Sequence, residues 1–87
     1  MLGGLFPQAT INESGDLNNI LTTGTYKLVS QHHPQNMPPS IDSTSSGILF
    51  VIKSNVKIFQ SVFSLSGDMA FRIKHENDNW YGWYQVR

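Results

Sequence analysis

The chain has 87 residues, no cysteine and a formal net charge of zero, with 39% hydrophobic, 11% aromatic and only 14% charged residues. Chains of this length hold one domain and bury roughly 60–65% of their unfolded surface, so the core is thin. Without cysteine, disulfide staples, thiolate catalysis and Cys-ligated zinc are excluded, and the scattered basic residues leave no electrostatic footprint for nucleic acid or anionic lipid.

Ser, Thr, Asn and Gln stand in for the missing charge, a composition common in extracellular and viral β-structures. A small domain without staples leans on partners, and charged residues are depleted at interface cores, so oligomerisation is expected. No apolar run approaches the ~18 residues of a membrane span, and no membrane insertion is expected.

Residues 1–12 carry Gly3, Gly4 and Pro7 without periodicity and predict an extended or disordered lead-in to a folded unit over 13–87. "MLGGLF" lacks the basic start and long apolar stretch of a secretory signal, and suggests a short tail cut from a longer polypeptide. In "SGDLNNILTTG", Asp16 is an N-cap, Leu17, Ile20 and Leu21 line one side of a single helical turn, and Gly24 ends it. A turn so short must dock on something else.

"TYKLVS" (25–30) alternates and predicts a strand. The proline-rich, hydroxyl-rich stretch 31–47 follows, extended at Asn36-Met37-Pro38-Pro39, and a loop that long in so small a domain is functional or mobile. From Gly47 the pattern is antiparallel β. "ILFVIK" (48–53) has the continuous apolar run of a strand buried on both faces, and Ser54-Asn55 marks a turn. "VKIFQSVFSL" (56–65) places Val56, Ile58, Gln60 and Val62 on one face. Ser66-Gly67-Asp68 is a hairpin turn. "MAFRIKHE" (69–76) reads as Met69, Phe71 and Ile73 inward, with Ala70, Arg72 and Lys74 on a wet face. Asn77-Asp78-Asn79 turns the chain into a closing strand, "WYGWYQV" (80–86). The fold class is α+β, mainly β: a small twisted antiparallel sheet, a meander of three to four strands plus an N-terminal strand, with one short helical turn.

Catalytic chemistry finds little support. His32 and His33 point opposite ways on an extended chain, His75 is distant, and no HExxH spacing exists, so no metal site is expected. The carboxylates flank a helix start (Glu13, Asp16) or a turn (Glu76, Asp78), where capping explains them. They do not form the opposed acid pair of glycoside hydrolysis. "HENDN" lacks the EF-hand spacing for calcium, and "NES" at 12–14 fits the glycosylation sequon only as a three-residue match. With no P-loop, GxSxG or dinucleotide fingerprint, no catalytic residue and no cofactor is assigned.

The closing aromatics remain. On a strand, Trp80, Gly82, Tyr84 and Val86 share one face and Tyr81, Trp83 and Gln85 the other. Each buried ring removes ~150–250 Å² from water, so one set suffices for the thin core, while Gly82 allows a close approach at mid-strand. The outward set, Tyr81 and Trp83, then needs a partner, either a sugar ring or a neighbouring subunit.

In order and spacing, "GDLNNILTTGTYKL", "NMPPS", "GILFVI" and "IFQSVFSLSGDMAFRIKHENDNWYGWYQV" resemble the knob domain of R-type pyocin tail fibres and related phage tail-fibre and receptor-binding modules. The shared positions are Asp16, Leu17, Asn18, Gly24, Tyr26, Asn36, Pro38, Gly47, Gln60, Gly67, Arg72, Trp80 and Trp83, spread over residues 15 to 86. Pro39 and the Tyr81-Gly82 pair depart from the pattern. The resemblance implies a homotrimeric, fibre-borne and non-enzymatic module on a virion tail fibre, extracellular when acting, whose partner is bacterial cell-surface polysaccharide. On that expectation Tyr81 and Trp83 stack on sugar faces, and Asn36 and Gln60 supply hydrogen bonds. The alternatives are a structural, trimer-forming spacer with Tyr81 and Trp83 in the subunit interface, or a carbohydrate-binding appendage of a cell-wall hydrolase.

Overall fold

The computed structural model describes residues 9–42 and 44–86. Its strands are β1 (Ala9–Ile11), β2 (Gly24–Leu28), β3 (Gly47–Ser54), β4 (Lys57–Ser64), β5 (Met69–His75) and β6 (Tyr84–Val86), and a 3₁₀ turn spans Leu17–Asn19. They form one sheet in the order β1-β2-β3-β4-β5-β6, parallel between β1 and β2 and antiparallel elsewhere. The fold is mainly β, as the alternation predicts, but the described residues form six strands in a mixed sheet. β1 lies at the end of the stretch expected to be a lead-in; residues 1–8 of that stretch lie outside the described residues.

Register sets the two faces. Gln60 pairs with Val51 and Arg72, and Val62 with Leu49 and Ala70, so these side chains share the inner face with Tyr26, Leu28 and Ile58. All of them are buried. The cover over this face comes from Leu17 of the 3₁₀ turn, from Pro38 and Ile41 of the long β2–β3 connection, and from Trp80 and Trp83. The long loop is therefore structural as well as surface-forming. Its backbone ties down through Gln35 N–H to Gly15 O (3.0 Å) and Leu17 N–H to Gln35 O (3.1 Å).

Three strand readings change. In β5 the expected faces are reversed: Ala70 and Arg72 are buried, whereas Ile73 is 48% exposed. Polarity misleads there because the register sets the Arg72 guanidinium beside the Gln60 amide, which bonds it. The apolar run of β3 is buried on one face only, through Leu49 and Val51, and Ile52 on the other is 52% exposed. The closing strand is confined to Tyr84–Val86, since residues 80–83 are irregular. The β3–β4 turn lies at Asn55-Val56, with Asn55 at φ 56°, while Gly67 at φ 103° makes the β4–β5 turn as expected.

Candidate functional site

Asp16 begins the site. Its Oδ1 accepts from Asn18 N–H (2.9 Å), capping the 3₁₀ turn, and from Asn36 Nδ2 (2.6 Å), which holds the long loop against it. The turn is fixed to the sheet by Gln60, whose Nε2 donates to Leu17 O (2.7 Å) and Ile20 O (2.9 Å). Gln60 Oε1 in turn accepts from Arg72 Nε (2.8 Å). One amide thus joins β4, β5 and the turn.

The Arg72 guanidinium sits between two indoles, 4.1 Å from the Trp80 ring and 4.2 Å from the Trp83 ring. Such cation–π contacts strengthen when desolvated, and Arg72 is only 3% exposed. Each indole is anchored by its N–H, Trp80 to Asn18 O (3.2 Å) and Trp83 to Asn36 O (3.1 Å). Burial lowers the Arg72 pKa to about 10, an effect the through-space field of Asp16 opposes, so the group is a cation at neutral pH.

Above this clamp opens a concavity of about 220 Å³ lined by Asn18, Asn36, Met37, Arg72 and the segment Trp80, Tyr81, Gly82 and Trp83. Tyr81 stands at the rim, 76% exposed. Of the four residues expected to meet a ligand, Tyr81, Trp83 and Asn36 line this one concavity. Gln60 does not: it has no solvent exposure and its amide is committed to three hydrogen bonds, so it acts as a brace behind Arg72. Trp83 also differs from its expected outward placement, because it packs on the core together with Trp80. Gly82 receives no close neighbour, since a Cβ there would meet nothing within 4 Å.

Asn18, Met37, Arg72 and Trp80 are site residues missed by periodicity. The dispersed motif positions singled out in the sequence do contain Asn18, Arg72 and Trp80. Eight of these positions, Asp16, Leu17, Asn18, Asn36, Gln60, Arg72, Trp80 and Trp83, converge on this single network.

Elsewhere, His32 Nδ1 lies 2.9 Å from Glu13 Oε2 at the surface, and His33 Nε2 lies 2.6 Å from Ser45 O. Among the described residues no three metal-ligating side chains gather, and no helix is long and apolar enough to cross a membrane.

No protein-family model matches the chain, and no curated protein matches it in sequence. A solved structure does match: that of the P. aeruginosa R1 pyocin fibre comprising C-terminal residues 323–701. The superposition has a TM-score of 0.79 at 19% identity and covers 100% of this chain and 24% of that one. This chain therefore spans about a quarter of the fibre structure it matches. The likeness is one of fold, and the chain carries a fold found in a pyocin tail fibre.

Proposed function

We propose that the chain is a non-enzymatic module of a phage or phage-tail-like fibre that aids adsorption by binding bacterial cell-surface glycan. The observation that carries this reading is the convergence of Tyr81, Trp83 and Asn36 on one open concavity. A largely free phenol ring offers a stacking face, and the Asn18 and Asn36 amides beside it offer groups that read hydroxyls. A few fixed polar groups around an apolar ring suit a ligand with hydroxyls and an apolar ring face, such as a sugar. The fold shared with a fibre fragment supports the location on a tail particle.

Tyr81 is the residue to test, since it is exposed and among the described residues no side-chain hydrogen bond involves it. Tyr81→Ala is expected to weaken binding to a bacterial surface polysaccharide by about 1 kcal/mol, the scale of one aromatic contact, without lowering the melting temperature. Calorimetric titration against a panel of such polysaccharides measures it. If no member binds the intact protein at millimolar repeat-unit concentration, the reading is wrong.

A second reading, a trimer-forming structural bead, is supported by the outer face of the sheet. Its apolar rows run Ile48–Phe63–Met69–Val86, Phe50–Ser61–Phe71–Tyr84 and Ile52–Phe59–Ile73 across neighbouring strands, bordered by Lys27 on β2 and Lys57 at the end of β4. Ile52, Phe63, Ile73, Tyr84 and Val86 are all exposed there. The two readings are compatible because the pocket and this face use different side chains. In the trimer the outer face, rather than Tyr81 and Trp83, meets the neighbouring copy.

A further inference from the structure

Arg72 is nine-tenths buried, yet the two ion pairs formed among the described residues, His32–Glu13 and Lys53–Glu76, do not include it. Its Nε bonds Gln60, while Nη2 has no hydrogen-bond partner among the described residues. The indoles do not cure this. Their π-faces attract the cation as a whole but offer no lone pair to an in-plane N–H. A buried charge with a free in-plane donor is costly unless something accepts from it. The nearby carboxylate, Asp16, is engaged by Asn18 N–H and Asn36 Nδ2 and acts on Arg72 only through space. A second unpartnered atom, the acceptor Asn18 Oδ1, belongs to the same concavity.

We propose that this concavity selects an acidic sugar, one anionic oxygen of a carboxylate or phosphate accepting from Arg72 Nη2 while a ring hydroxyl donates to Asn18 Oδ1. The proposal rests on the glycan-binding reading above and names the sugar class. At about 220 Å³ the space is below the range of drug-sized sites and suits a single sugar residue with its substituent. Tyr81 stacks on the exposed ring. Nη2 and Asn18 Oδ1 are both sealed in the free protein, so the sugar reaches them as the irregular 80–83 segment gives way.

The test is a titration of the intact protein, followed through the indole N–H signals of Trp80 and Trp83. The ligands are hexuronates and hexose 6-phosphates of the gluco, galacto and manno series, each against its neutral parent hexose. At least one acid is expected to bind about tenfold or more tightly than its parent, and the two acid arms tell carboxylate from phosphate. Added salt should weaken the acid but leave the neutral sugar unchanged. Arg72→Lys, which keeps the charge and loses the planar fork, should erase most of the preference. Should this variant fail to fold, the salt dependence of the unmodified protein decides alone. Equal binding of acids and parents, or no salt effect, overturns the acidic specificity and leaves the sugar site standing. No binding by any sugar overturns both.

Discussion

Gln60 and Tyr81 mark two ways in which a side chain serves this site. Gln60 Nε2 satisfies two carbonyls of the 3₁₀ turn, and Oε1 satisfies the buried Arg72. Gln60→Leu keeps approximate bulk but leaves Ile20 O and Arg72 Nε unpaired and takes from Leu17 O one of its two donors. It should cost about 3 kcal/mol or more, since each such orphan carries a penalty on the order of 1–3 kcal/mol. For a domain of this size that lowers the melting temperature by more than ~10 °C. Thermal denaturation followed by tryptophan fluorescence checks it, and a loss of under ~1 kcal/mol would show that Gln60 is not the brace. Tyr81, at 76% exposure, is the opposite case, readable in the sequence as an unburied ring. Gln60 and Arg72 were not readable in this way. Polarity forecasts exposure only when a buried partner is missing, and the partners here are distant in sequence, Leu17 O lying 43 positions from Gln60. Asn36 lines the concavity, and its tie to Asp16 Oδ1 follows from the loop folding back, not from local spacing.

The strands divide along the same line. β3 follows from its apolar run, β4 and β5 from alternation, and all three from the turn residues between them, since each pairs with its sequence neighbour. Gly47 is needed where β3 begins: an added Cβ would sit 2.5 Å from Phe63 O, a backbone atom that cannot swing away. Gly47→Ala is therefore expected to destabilise by about 2 kcal/mol, within the ordinary cost of overpacking. Denaturant unfolding measures it, and a neutral result would mean that the β3–β4 ladder shifts freely at that end. β1 was hidden because three residues show no usable period and pair in parallel with β2, across the 3₁₀ turn. The segment from Trp80 to Trp83 misled in the other direction. Its composition favours a strand, but indole bonds to Asn18 O and Asn36 O turn both tryptophans toward Arg72, which a two-residue alternation does not permit.

Assembled, the sheet has one face under the loop and the indoles and one face largely uncovered. The aromatic contacts Phe50–Phe63, Phe59–Phe71 and Phe71–Tyr84 pack the open face sideways but do not shield it from water. The β3 run that reads as doubly buried is thus consistent with a chain whose second cover is another copy. Sedimentation should detect a trimer, and Ile52→Glu with Ile73→Glu should yield a folded monomer, because a buried charge opposes association. A stable monomer of the unmodified chain would contradict the assembly. Adsorption is the stronger claim, and one titration addresses it. Bacterial surface polysaccharide is added to the isotopically labelled protein while the indole N–H and isoleucine methyl signals are followed. The predicted result is saturable movement of the Trp80 and Trp83 signals with Ile52 and Ile73 unmoved. Still indoles, or movement confined to Ile52 and Ile73, would place recognition away from the Arg72 clamp and contradict it.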